Sequence, residues 1–277
     1  MKDRWPGGVD AVGLSNRRII KVNQLFRFGK AMGGVAVLAC ALANAQDNSP
    51  ELDYLKAAKS GDLPRIKELL DAKVNVNTTA DNGLTALMLA SVNGHPEVVR
   101  ALIDAGVNVN KQTDGGVTAL MVASVVGQLE AVKVLLDARS DVNIAESDGT
   151  TELMAASEKG HLEVVKALLE AKADVNGKAS RDLQNYTALM WASENGHAEV
   201  VGVLIAAGAQ VHAVDSKTVS NSLMKASREG HVDVVRALIA GGADVNSHNV
   251  DLDTPLSLAT DAGHQDVVEI LKSAGGK

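Results

Sequence analysis

Large aromatic side chains are almost missing from this chain: of 277 residues only six are Phe, Tyr or Trp. Three of those, Trp5, Phe26 and Phe28, fall in the first 45 residues, so a single thick core has few bulky groups to fill it. Cysteine is represented by Cys40 alone, which excludes a disulfide framework and any cysteine-rich zinc site. Basic charge is in deficit, with 27 Lys and Arg against 34 Asp and Glu and a formal net charge of −7. A nucleic-acid partner held through phosphate neutralisation is therefore not expected. What is abundant is small and apolar. With 46% hydrophobic and 22% charged residues the chain is not disordered, so its apolar surface has to be buried in many thin layers.

The first 45 residues stand apart. They hold seven basic and two acidic residues, which leaves 46–277 with 20 basic and 32 acidic residues and a net charge of −12. After Lys30 an uncharged run, 31–45, ends in Ala43-Asn44-Ala45 before the polar Gln46-Asp47-Asn48-Ser49-Pro50. A basic stretch, an apolar stretch and small residues in that order make a secretory signal peptide, too short to span a bilayer comfortably. Cleavage before Gln46, a periplasmic location and a short linker at 46–50 are expected. Val37-Leu38-Ala39-Cys40 offers a second route, lipidation at Cys40. Asn16-Arg17-Arg18 weakly resembles a twin-arginine signal, and a start near Val22 would shorten the leader.

From residue 51 the chain is periodic. Gly61, Gly94, Gly127, Gly160, Gly196, Gly230 and Gly263 follow one another at spacings of 33, 33, 33, 36, 34 and 33 residues. Spacings of this kind mean a stack of seven supersecondary units. Within one unit, Thr85 can cap a helix over 86–93 and Gly94 can stop it. A second helix over 96–105 then carries Val98, Val99, Leu102 and Ile103 at helical spacing, with Glu97, Arg100 and Asp104 opposite. Gly106 ends it, and Val107-Asn108-Val109-Asn110 leads to a polar turn before the next Thr118. Two short antiparallel helices and a projecting finger result, an all-α solenoid with hairpin-like fingers over 51–277. The first unit has a polar cap in Glu51, Asp53, Lys56 and Lys59, whereas the last looks less capped and is expected to fray.

These motifs resemble those of the ankyrin-repeat family. The residues that carry the likeness are Asp148-Gly149-Thr150-Thr151-Glu152-Leu153-Met154-Ala155-Ala156, Gly160-His161, Val164-Val165, Leu168-Leu169 and Ala173-Asp174-Val175-Asn176. The family's proline is here Ala, Glu or Ser except at Pro255, and its histidine is Met in five repeats, as in bacterial members. The resemblance implies a non-catalytic module that binds a polypeptide partner on the concave face of fingers and inner helices, as a scaffold, protector or toxin neutraliser. It implies no cofactor, and a monomer.

Residues with chemistry mostly dissolve into the repeat. His95, His161, His197, His231 and His264 share the position after the helix-stopping glycine, a whole repeat or roughly 10 Å apart, too far to converge on a metal. Met88, Met121, Met154, Met190 and Met224 share one inner-helix position and read as core fillers. A haem or metal handler using this methionine ladder, or the finger histidines His212 and His248, is the alternative. No Ser–His–Asp set, phosphate loop or HExxH motif occurs, so an enzyme is not expected.

What breaks the repeat without serving the stack points to a partner. The finger before Thr187 has ten residues where earlier ones have seven. It brings Tyr186 beside Trp191, with Leu84 and Val117 at the finger position equivalent to Tyr186. Val125 and Val126 end an inner helix. Glu194 and Arg228 belong to a gradient from apolar to charged residues along the same face. An exposed apolar row suits a partner patch around the third to fifth units. The other reading buries Trp191 between inner helices, as expected of Leu89 and Val122.

Overall fold

The computed structural model describes residues 49–80, 83–180 and 185–277, and fourteen helices in seven pairs lie among these described residues. In chain order the pairs are α1 (Pro50–Ser60) and α2 (Leu63–Asp71), α3 (Ala86–Val92) and α4 (Pro96–Asp104), and α5 (Ala119–Val126) and α6 (Leu129–Asp137). Then come α7 (Glu152–Lys159) and α8 (Leu162–Glu170), α9 (Ala188–Glu194) and α10 (Ala198–Ala206), α11 (Ser222–Glu229) and α12 (Val232–Ala240), and α13 (Pro255–Asp261) and α14 (Gln265–Ser273). The processing signals at 1–45 and the centre of the long finger, 181–184, lie outside the described residues.

Each inner helix starts for a reason written in its sequence. Thr85, Thr118, Thr151 and Thr187 accept a hydrogen bond from the backbone N–H of the methionine three residues on, at 3.1–3.5 Å. Asn221 does the same for Met224 at 3.0 Å, and Thr254 forms a full capping box with Ser257. The methionine side chains point into the stack, where all five are buried.

The glycine that ends the inner helix is required twice over. Its φ is positive, 73° at Gly160 for instance, and the next repeat's histidine lies where a side chain would go. A Cβ added to Gly61, Gly160 or Gly230 would lie 2.5 Å from the ring of His95, His197 or His264. Those rings reach back across the layer. His95 donates from Nε2 to the Lys59 carbonyl at 3.1 Å, His161 to Val125 at 3.0 Å, His197 to Glu158 at 2.9 Å and His231 to Glu194 at 3.0 Å. Gln128 stands in for the histidine of the third repeat and donates to the Val92 carbonyl at 3.4 Å. The repeated Gly-His pair is thus an interlayer clasp that satisfies a helix-terminal carbonyl.

On the finger side a second ladder links the layers. Asn110, Asn143 and Asn176 each accept the backbone N–H of a residue one repeat further on, Asp141, Asp174 and Gln210, at 2.8–2.9 Å. Between the ladders lies the core, continuous from Tyr54 to Leu271 and built from one thin layer per repeat. Inner helices pack more closely on one another than outer helices do. Among the described residues, isolated bridges close individual fingers, such as Ala179 with Tyr186 and Val214 with Asn221, and single backbone bonds such as Ser180 N–H to the Asp148 carbonyl at 2.7 Å link neighbouring fingers.

Candidate functional site

The eight residues singled out by sequence separate into two groups. Leu84, Val117, Val125 and Tyr186 are buried, none more than 6% exposed, so the expected exposed apolar row does not exist. The physical reason is the position. Leu84, Val117 and Tyr186 immediately precede an N-cap and so stand five residues before the helix position that a hydrophobic staple engages, Leu89, Val122 and Trp191. In the fifth repeat that staple is visible: the rings of Tyr186 and Trp191 lie 4.7 Å apart at 47°. The finger folds back onto its own helix. Val125 lies under the helix end that His161 clasps. The remaining four, Val126, Trp191, Glu194 and Arg228, reach the surface, with Trp191 half-buried against the core.

Beneath Trp191 is a polar network that sequence reading missed. Lys225 occupies in the sixth repeat the position of Trp191 in the fifth, and it is buried. Its ammonium donates to Asp215 Oδ2 at 2.8 Å and to the Tyr186 hydroxyl at 2.7 Å, and lies 4.3 Å from the Tyr186 ring centroid. Tyr186 passes its own proton on, donating to Glu194 Oε2 at 3.0 Å. Glu194 in turn lies 3.7 Å from the Arg228 guanidinium. Burial pushes the Tyr186 phenol well above its ordinary range, and the Glu194 carboxylate pushes it further. Burial alone would raise the Asp215 carboxyl too, but Lys225 and the Thr218 N–H outweigh that and hold it low. An ion pair this deep costs desolvation and is held by the network around it. A lysine where the other repeats carry an apolar residue, Leu89, Val122, Ala155 or Trp191, and ten residues after a finger aspartate, was the available signal.

A second buried charge bearer lies two repeats earlier. Glu152 takes the place of the family's proline at the start of α7, is fully buried, and accepts from the Thr118 hydroxyl at 3.3 Å. Its other oxygen has no partner. Burial raises its carboxyl to about 8, against the lowering effect of its own backbone N–H and Thr118, with Asp141 and Glu146 adding to the rise.

Among the described residues no three His, Cys, Asp or Glu side chains converge as a metal site would require. The methionine ladder is sealed in the core, and His212 and His248 stand exposed on separate fingers.

The family model for ankyrin repeats in three copies matches residues 55–146, 127–215 and 212–277. The chain belongs to the ankyrin-repeat family. It is similar to the crystal structure of the human ASB11 ankyrin repeat domain, with a TM-score of 0.70 and 26% identity over 79% of this chain and 96% of that one. No curated protein matches it. Ankyrin repeats are in general non-catalytic scaffolds for protein–protein interaction, and among the described residues no helix is long and apolar enough to cross a membrane.

Proposed function

We propose that this protein is a non-catalytic binding module of the cell envelope that holds a polypeptide partner on its finger and inner-helix face. One observation carries the placement on that face: Trp191 stands half-buried there, backed by the Tyr186–Lys225 network and bordered by Glu194 and Arg228. A rigidly backed aromatic beside charged residues is the usual form of an interaction hot spot. Val126, 44% exposed at the end of α5, extends the surface toward the third repeat. The envelope location rests on residues 1–45, whose basic, apolar and small-residue order suits export with cleavage before Gln46.

Affinity capture from native envelopes with the full chain, followed by mass spectrometry, identifies the partner, and N-terminal sequencing of the envelope form reads the processing site. Trp191→Ala and Arg228→Glu should each weaken capture, while Lys166→Glu on the outer helix α8 should not. Loss of capture with Lys166→Glu alone would move the site to the convex face. An unprocessed chain outside the envelope would remove the location.

A further inference from the structure

The turn residue two before each N-cap has left-handed backbone in six successive fingers. It is Gly83, Gly116 and Gly149 in three, with φ of 78°, 87° and 83°, then Asn185, Val219 and Leu252 with φ of 50°, 58° and 66°. Glycine enters this region freely and asparagine tolerates it, but a β-branched valine or a leucine there is an outlier. The last two fingers therefore hold strained backbone where the first three hold none. They also hold their apolar side chains in water. Val219 is 39% exposed and Leu252 77%, and their neighbours Val214 and Val250 are 40% and 57% exposed. Of the five exposed large hydrophobic residues among those described, four lie on these two adjacent fingers. The Val250 N–H donates to the Thr218 carbonyl at 3.1 Å and ties the fingers into one surface. Strain and exposed apolar area at one place, neither serving the stack, mark a contact surface.

Beside this patch, between the fingers and the inner helices, lies a recess of about 150 Å³. Its two cations are already matched, Lys225 by Asp215 at 2.8 Å and Arg228 by Glu229 and Glu194 at 3.1 and 3.7 Å. Its two carboxylates are not. Among the described residues Asp251 has no lysine or arginine within ion-pair distance, and Asp253 is held only by neutral donors such as the Asn249 side-chain amide at 3.1 Å. The recess carries uncompensated negative charge next to an aliphatic ledge.

We infer that the fingertips of the last two repeats are a docking surface for an extended segment of a protein partner in which aliphatic side chains flank a lysine or arginine. The aliphatic groups rest on Leu252 and Val250, and the cation enters the recess toward Asp251 and Asp253. A second copy of this chain suits the surface less. Four aliphatic side chains fall well short of the roughly 800 Å² per partner that a stable dimer buries. An anionic membrane would be repelled by the two carboxylates. The inference rests on the finger face being the partner side.

The test uses the full chain and a fluorescein-labelled nonapeptide of alternating leucine and arginine, followed by anisotropy. Binding to the unaltered protein should weaken at least about tenfold in the paired variant Val219→Gly and Leu252→Gly, while its Tm holds or rises, because glycine relieves the left-handed turns. Asp251→Asn with Asp253→Asn should weaken it similarly and flatten its salt dependence. A peptide with glutamate in place of arginine should not bind. No binding of the basic peptide to the unaltered protein, or equal binding to the glycine pair, overturns the inference. So does a patch whose glycine variant loses only self-association or only adhesion to phosphatidylglycerol vesicles. If Trp191→Ala weakens the peptide and the glycine pair does not, the finger-face reading stands and this inference alone falls.

Discussion

Lys225 shows how a single position can be converted from packing to electrostatics without disturbing the fold. Equivalent positions hold Leu89, Val122 and Trp191, and the lysine is tolerated because Asp215, Tyr186 and the Tyr186 ring surround its ammonium. Removing one member leaves an uncompensated buried charge. Lys225→Met should therefore cost about 3–5 kcal/mol in urea unfolding, and adding Asp215→Leu should recover much of that loss. A neutral Lys225→Met would mean that the pair is solvated. Glu152 makes a pH prediction with a definite sign. Its folded-state carboxyl is raised from 4.5 to about 8, so the proton is held more tightly by the folded protein. Its stability contribution is complete below about pH 4.5 and is lost as pH rises toward 8, by at most about 1.4 kcal/mol per pH unit. Melts between pH 5 and 9 should flatten in Glu152→Gln, which also becomes the more stable form at the alkaline end; parallel curves would contradict the burial of a charge there.

At the scale of the helix, one cost recurs in register. Ser91, Ser124, Ser157, Ser193 and Ser227 share the inner-helix position after the core alanine, are fully buried, and have no hydrogen-bond partner for their hydroxyls. Desolvating a hydroxyl without a partner costs about 1–3 kcal/mol, and alanine fills nearly the same space. Ser124→Ala should raise stability by about 1 kcal/mol in denaturant melts, and a loss would reveal a bond to bound water. Elements were the part of the molecule most legible in sequence. Thr before Ala-Leu-Met, glycine after the helix and the 33-residue spacing each reflect a local backbone requirement, and each appears where it was read. What the chain brings together across repeats was not legible. Tyr186 read as exposed because it sits in a finger, yet the staple onto Trp191 and the bond to Lys225, 39 residues away, bury it. Val219 and Leu252 went unremarked because positive φ leaves no mark in a sequence that does not place glycine there.

The whole molecule is a row of layers, and stability in such a row is carried by neighbour contacts. Leu168 on α8 and Leu271 on α14 are both completely buried, but the first has a layer on each side and the second on one. Leu168→Ala should cost about 2–5 kcal/mol and Leu271→Ala clearly less, because the terminal layer can relax or fray around the cavity. Equal losses would show that the last repeat is as firmly held as the middle ones. The same layering explains how function is added. Interlayer clasps, caps and core use the repeated residues, so the residues that depart from the repeat on the finger face are available for a partner. The most direct measurement of that claim is hydrogen–deuterium exchange of the full chain with and without the captured partner. Protection confined to the fingers and to α9 and α11, around Tyr186 to Glu194 and Val219 to Glu229, is the predicted result. Protection running instead along the outer helices α8, α10 and α12 would contradict it.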